Sequence, residues 1–190
     1  MAILNTTNII NFKNNIPFIT RNRYMGRKDR LFEARQQGAV TVFLSHSHSD
    51  ASSNKDIFEG AISLLSSQGV EVYVDWLDES MPKVTNASTA LKLKEKINSN
   101  KKFVLVASPN AITSNWVNWE LGLGDAAKYQ NHIALFPFVS DSSSWKDAEY
   151  LNIYPYIEKA NPYLPDTIRD NYVVRFPNGQ LQKLSSWLAN

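Results

Sequence analysis

The chain has 190 residues, of which 43% are hydrophobic, with a formal net charge of +2 and no cysteine. A chain of this size supports one well-buried core but not two ordinary domains joined by a linker. The lack of cysteine excludes disulfide bonds, thiolate metal sites and a cysteine nucleophile.

The positive charge is concentrated near the N-terminus. Residues 1–38 carry seven Lys and Arg residues against Asp29 and Glu33, so we predict a basic N-terminal extension before a domain at 39–190. Without interleaved aromatic residues, this extension is typical of a solvated helix face rather than a nucleic-acid site. No signal peptide and no apolar run of about 20 residues is found. We therefore expect a cytoplasmic protein that binds neither nucleic acid nor membrane.

From residue 39 onward, short β-rich runs alternate with helical periodicity. This pattern is typical of an α/β protein whose parallel sheet has helices on both faces. We predict the strand order 2-1-3-4-5, in which the chain changes direction between the first and third strands. The predicted strands are 40–45, 70–74, 103–108, 133–139 and 172–176.

Four segments carry apolar residues at helical spacing. Gly69 is placed to end the first helix, and Ser114 is placed to cap the third. Residues 140–171 have turn signals but no sustained period, which predicts an irregular insert with one short helix. The apolar residues that define the first, second and last helices are Phe58, Ala61, Ile62 and Leu65 in the first, Leu91 and Ile97 in the second, and Leu181, Leu184 and Leu188 in the last. Leu93 is out of phase with the second helix.

Two polar segments follow the first and third predicted strands, where a sheet of this order binds its ligands. Residues 45–50 read SHSHSD, and residues 108–120 read SPNAITSNWVNWE. The spacing HxHxD also begins some zinc sites, but Ala51 stands where a further histidine would be needed and only His132 remains elsewhere. We expect no metal, and His46 either contacts a ligand or is a hydrogen-bonded structural residue.

Three stretches resemble, in the right order, the sequence boxes of the Toll/interleukin-1 receptor (TIR) domain family. VFLSHSHSD is similar to the first box, and GVEVYVDWLDESMP to the second, with Asp75 at the acidic position. VLVASPNAITSNWVNWEL matches the family's Ser-Pro-Asn, Ser-x-Trp and Glu-Leu run. The resemblance covers most of residues 39–139 and implies a flavodoxin-like TIR fold.

The chain also differs from many members of that family. Val117 stands where a cysteine often follows the tryptophan, and Lys83 follows Pro82 where many relatives have glycine. The loop after Asp75 is therefore expected to pack differently from that of receptor-type members. The basic extension and the insert resemble a bacterial branch, the TIR components of the Thoeris antiphage defence system.

The resemblance implies that NAD is the substrate. Many bacterial members consume NAD, and they carry a glutamate four residues after the tryptophan of the third helix. Here these residues are Trp116 and Glu120, and a spacing of four places both on one helical face. Glu120 is therefore expected to be the catalytic carboxylate, and Trp116 or Trp119 to stack on a planar ring. The NAD contacts are expected at Ser45, His46, Asp75, Asn115 and Trp116.

Several alternatives remain open from the sequence. The product is either linear ADP-ribose or a cyclic isomer, and the Thoeris resemblance implies a cyclic messenger that reaches a separate effector. Cyclisation requires water to be excluded, for which residues 75–84 are a candidate lid. Glu120 is alternatively a solvated helix residue beside two core tryptophans. The chain is then a non-catalytic module that signals by self-association. A further alternative is a transferase acting on nucleosides, which would again place one carboxylate near a ribose.

Overall fold

The computed structural model describes residues 4–15, 38–75, 86–128, 130–139, 148–165, 168 and 171–190. Eight strands in this part of the chain form one sheet in the order β3-β2-β4-β5-β6-β7-β8, and β1 lies beside β5. The strands are β1 Leu4–Asn5, β2 Thr41–Ser45, β3 Glu71–Tyr73, β4 Lys102–Ala107, β5 Ile133–Val139, β6 Tyr156–Lys159, β7 Tyr172–Arg175 and β8 Leu181–Lys183.

The helices cover both faces of this sheet. Two short 3-10 helices, Gln130–His132 and Glu149–Ile153, precede β5 and β6. None of the helices in the described ranges is long and apolar enough to cross a membrane. The α-helices are α1 Thr6–Asn15, α2 His48–Ser53, α3 Lys55–Ser67, α4 Ala87–Ser99, α5 Pro109–Thr113, α6 Asn115–Ala127 and α7 Leu184–Ala189.

The predicted strand order is confirmed for the first four core strands, because β2 pairs in parallel with both β3 and β4, and β5 follows β4. The first connection therefore leads from β2 to β3 on one side, and the next leads from β3 to β4 on the other side of β2. A crevice between the carboxyl ends of β2 and β4 is the ligand position that such a sheet provides.

The prediction of a parallel fifth strand at 172–176 is wrong. β6 occupies that place beside β5, and β7 pairs with β6 in the antiparallel direction. β6 lies within the segment predicted to be irregular, and it carries the buried Glu158. Arg175 of β7 donates to this carboxylate from Nε at 2.9 Å and from Nη2 at 2.7 Å. The strand β6 therefore contains a buried charge that is stabilised by Arg175 of β7. It lacks the apolar run on which the strand prediction relied.

Two apolar clusters lie on opposite faces of the sheet. One joins the strands to α3 and α7 on one face, and the other joins them to α4 and α6. On α4, Leu93 and Ile97 are fully buried whereas Leu91 is 70% exposed, so the predicted phase of this helix is wrong. Leu93 and Ile97 are four residues apart and share one helical face, which makes them the core pair.

Helix ends agree with the sequence in two places and differ in a third. Ser114 caps α6 by accepting from the Val117 backbone N–H at 3.3 Å, and Gly69, with φ of +84°, follows the end of α3 as predicted. Leu181 was predicted on the last helix but lies on β8. Only Leu184 and Leu188 of that trio face the core from α7.

The first described residues pack onto the domain. Leu4 of β1 pairs with Phe138 of β5, and Ile9 of α1 is 1% exposed against α3. The two helices lie close together at Gly60, where an added Cβ would lie 2.5 Å from the Ile9 carbonyl oxygen. Residues 16–37 lie outside the described ranges, so the boundary between extension and domain at residue 38 stays a prediction.

The close approach at Gly60 predicts a difference between two glycine substitutions. Gly60→Ala should lower the free energy of unfolding by about 1–3 kcal/mol, because the methyl group displaces α1. Gly122→Ala on α6 is the matched control, since an added Cβ meets nothing within 4 Å there. The control should gain up to about 1 kcal/mol from helix propensity. Urea unfolding measures both, and equal effects would contradict the docking of α1.

Candidate functional site

The centre of the site is a hydrogen bond between the last residue of β2 and the middle of α6. Alternate residues of a strand face the same side of the sheet, so Ser45 faces the same helix layer as Phe43. Val117 and Leu121 of α6 pack in the Phe43 cluster and bring Glu120 onto the strand end. Ser45 Oγ donates to Glu120 Oε2 at 2.6 Å, and both residues are buried.

Burial controls the charge of Glu120, which is only 3% exposed. Burial raises its pKa from 4.5 to about 8, and repulsion by Asp75 acts in the same direction. Hydrogen bonds with Ser45 and Trp116 and the charge of His48 lower the pKa. Each of these effects is smaller than that of burial. In the free protein the carboxyl group is thus mostly protonated near neutral pH. The alternative of a solvated helix residue is wrong.

Asp75 follows β3 and lies between two histidines. Its Oδ1 lies 3.6 Å from His46 Nε2, and its Oδ2 lies 3.4 Å from His48 Nε2. Burial lowers the pKa of His46 despite the opposing charge of Asp75, so this imidazole is neutral. A hydrogen bond with Asp75 raises the pKa of His48, whose side chain is 63% exposed. The solvent-facing histidine therefore binds a proton more readily than the buried one.

Asp50 has a separate structural role. It is 1% exposed and accepts hydrogen bonds from Ser108 Oγ and, at 2.7 Å, from Asn110 Nδ2. Ser108 Oγ in turn accepts from the Ala111 backbone N–H at 2.9 Å. This network ties α2 to the start of α5 and directs the Asp50 carboxylate to Ser108 and Asn110. Across the described ranges, no group of three or more His, Cys, Asp or Glu side chains is arranged to hold a metal ion.

Two tryptophans of α6 form an aromatic pair. The rings of Trp116 and Trp119 are 5.0 Å apart, and Trp119 is 37% exposed. Tyr150, which is also exposed, donates from its hydroxyl to Asn118 Oδ1 at 2.6 Å. Aromatic surface of this kind next to a buried carboxyl group suits a ligand with a planar ring.

The structure brings most of the predicted site residues together. One polar group contains Ser45, His46, Asp75 and Glu120. A hydrogen bond with Trp116, one helical turn earlier, lowers the pKa of Glu120. Asn115 is the exposed first residue of α6. The contacts of these residues with a ligand stay predictions. The candidate lid, apart from Asp75, lies outside the described residues.

Sequence reasoning did not assign roles to His48 and Asp50 beyond the rejected metal site. His48 is part of the site because it shares Asp75 with His46, and its position two residues after His46 was the available signal. The contact of Asp50 with Ser108 spans 58 residues of sequence. No periodicity in the chain indicates such a contact.

Comparison with known proteins gives a consistent result. The family model described as TIR domain matches residues 42–164. A protein of Bacillus cereus (strain MSX-D12) named "Probable 3' cyclic ADP-D-ribose synthase ThsB'" is 30% identical over 151 residues, covering 77% of this chain and 74% of that protein. A Cytobacillus dafuensis protein named "Putative cyclic ADP-D-ribose synthase TIR2" is 29% identical over 120 residues, covering 55% of this chain and 31% of that protein.

The raised pKa of Glu120 predicts how stability depends on pH. Between pH 4.5 and about 8, the folded chain holds a proton that the unfolded chain has released. The contribution of Glu120 to stability is therefore complete below pH 4.5 and lost as pH rises through about 8. Relative to Glu120→Gln, the wild type should lose a few kcal/mol over this range, at roughly 1.4 kcal/mol per pKa unit.

Urea unfolding at a series of pH values measures this difference. Glu149→Gln is the control, because Glu149 is exposed and its substitution should leave the pH dependence of the wild type unchanged. A difference between wild type and Glu120→Gln that stays constant with pH would show that the Glu120 pKa is not raised.

Proposed function

Because this chain belongs to the TIR domain family, we propose that it cleaves the bond between nicotinamide and ribose in NAD and closes the remainder into a cyclic ADP-ribose isomer. The observation that carries this proposal is the buried Glu120, held by Ser45 and four residues after Trp116. The names of the two relatives, which describe cyclic ADP-D-ribose synthases, support the same activity.

The chemistry needs only one carboxylate. Most glycosidases use a second carboxyl group to protonate the leaving oxygen. The nicotinamide of NAD carries a positive charge, takes the electron pair of the broken C1′–N bond and leaves as a neutral molecule. The remaining task is to stabilise the positive charge that develops on the ribose, which an ionised Glu120 next to the ring performs.

The substrate itself changes the charge of Glu120. A cation placed beside a carboxyl group favours the ionised form and lowers its pKa. Binding of the nicotinamide ring therefore converts the protonated Glu120 of the free protein into the carboxylate that the reaction needs. The burial that raises the pKa also strengthens the attraction between this carboxylate and the developing cation.

The other site residues are proposed to position NAD. Trp116 stacks on a planar ring, and Ser45 and His46 contact ribose hydroxyls beside Glu120. The exposed His48, whose proton is stabilised by Asp75, suits the pyrophosphate at the entrance. Asn115 offers an amide at the first turn of α6. No step of this scheme requires a metal ion.

Ring closure follows when a nucleophile of the same molecule attacks C1′. An ADP-ribose hydroxyl group or adenine nitrogen forms the new bond and releases one proton, so that NAD yields the cyclic product, nicotinamide and H⁺. Water competes for the same carbon atom and gives linear ADP-ribose. The buried position of Glu120 and the aromatic pair beside it favour ring closure by limiting access of water.

The biological role is part of the proposal. The cyclic product acts as a diffusible signal to a separate effector protein in cytoplasmic antiphage defence of the Thoeris type, and side-by-side self-association activates the enzyme. The extension at residues 1–38 and the domain at 39–190 remain the proposed organisation. A non-catalytic module that works only by self-association gives no reason to bury Glu120, since the raised pKa of this carboxyl group destabilises the fold at high pH despite its hydrogen bond from Ser45.

Incubation of the purified protein with NAD tests the activity. Glu120→Gln should reduce the rate of nicotinamide release by roughly 100-fold or more, because the amide cannot carry the charge. Glu149→Gln is the matched control and should retain the wild-type rate. Mass spectrometry separates the products, since cyclic ADP-ribose is lighter than ADP-ribose by one water molecule. Intact NAD with self-associated, correctly folded protein would refute the proposal.

The dependence of kcat/KM on pH tests the role of Ser45. Since the ionised form of Glu120 is active and its pKa in the free protein is about 8, kcat/KM should rise with pH through that value. Ser45→Ala removes a hydrogen bond that lowers this pKa, so the midpoint should move to higher pH. Ser99→Ala, at an exposed position on α4, is the control. A midpoint that does not move in Ser45→Ala would contradict this role.

A further inference from the structure

A cluster of basic side chains lies at the opposite end of the sheet from Glu120. Phe103 of β4 pairs with Ile133 of β5, so the preceding residues, Lys102 and His132, lie next to each other at the amino ends of these strands. Lys101 is the neighbour of Lys102 in sequence. Lys128 Nζ donates to the backbone oxygen of Asn100 at 2.6 Å, which brings a third lysine to the same edge.

Lys102 is an unusual member of this basic edge, which we define as Lys101, Lys102, Lys128 and His132. It is 1% exposed, and its Nζ lies 4.5 Å from the centre of the Trp187 ring. Burial, together with repulsion from Lys101, lowers the pKa of Lys102 to about 8. The aromatic face offsets part of the desolvation of this ammonium group.

The basic edge forms no ion pair with a carboxylate among the described residues. Glu71, at the start of β3, is a carboxylate at the same end of the sheet. The pKa of His132 is lowered by burial and then by repulsion from Lys102, Lys101 and Lys128. A bound anion would relieve this repulsion and favour the protonated forms of these groups.

A cavity of about 280 Å³ is lined in part by Gln130 and Asn131, which directly precede His132 of the basic edge. The two features are linked, because Trp187, which lies under Lys102, donates from Nε1 to the backbone oxygen of Asn131 at 2.7 Å. Apolar surface with a few amide groups is suited to a planar heterocycle. The cavity is lined by the amide-bearing residues Gln130, Asn131 and Asn178 and by the apolar residues Ile153, Pro155, Phe176 and Pro177.

We propose that the basic edge and this cavity form a second ligand site that binds a nucleoside phosphate. The phosphate lies against Lys101, Lys128 and His132, and the base occupies the cavity. A doubly charged phosphate offsets the repulsion among the lysines, and the amide groups of Gln130 and Asn131 supply hydrogen bonds to the edge of the base. This site lies at the amino ends of the strands and does not depend on the chemistry of Glu120.

Two-dimensional NMR of the tryptophan indole N–H groups tests the proposal with AMP as the probe. Trp187 reports on the second site, whereas Trp116 and Trp119 report on the site of Glu120. AMP should shift the Trp187 signal in a saturable manner. Adenosine and inorganic phosphate, tested separately, should each bind more weakly than AMP, because each fills only half of the site.

The double substitution Lys101→Gln and Lys128→Gln should weaken AMP binding, as read at Trp187, by about tenfold or more. Lys55→Gln with Lys94→Gln is the matched control, because it removes the same charge from exposed positions elsewhere and should leave the affinity unchanged.

Three outcomes would overturn the proposal. AMP could leave Trp187 unchanged, it could shift only Trp116 and Trp119, or the control could lose as much affinity as the double variant. Inorganic phosphate that binds as tightly as AMP would overturn the assignment of the cavity to the base.

Discussion

The buried hydrogen bond from Ser45 to Glu120 is the interaction on which the site depends. It joins the end of β2 to α6, beside the crevice between the carboxyl ends of β2 and β4. The surrounding packing excludes water from the carboxyl group and raises its pKa to about 8. The same burial therefore holds the carboxyl group in place and makes its charge responsive to a bound cation.

The polar groups around this bond are arranged by depth. Asp50 is fully buried and holds α5 against α2, whereas Asp75 lies nearer the surface and contacts His46 and His48. The neutral, buried His46 and the exposed His48 with its raised pKa give the site a polar interior and a basic entrance. This arrangement suits a substrate with a ribose at its reacting centre and phosphates nearer to solvent.

Much of the fold, and the placement of Trp116 and Glu120 on one helical face, could be predicted from the sequence. The core strands are apolar along their length, and a spacing of four residues sets Trp116 and Glu120 on one helical face. Contacts between distant side chains were not predictable. Burial of Glu158 requires Arg175 from a neighbouring strand, and Asp50 requires Ser108. Each of these pairs makes a polar residue compatible with the interior only after the chain has folded.

A direct titration of the Glu120 side-chain carboxyl group tests the central claim. With the carboxyl carbon of glutamate labelled with ¹³C and Glu120→Gln used to assign the signal, NMR reports its ionisation with and without an uncleavable NAD analogue. We expect a midpoint near pH 8 in the free protein and a lower midpoint when the cationic nicotinamide ring is bound. A midpoint near 4.5 that the analogue leaves unchanged would contradict this expectation.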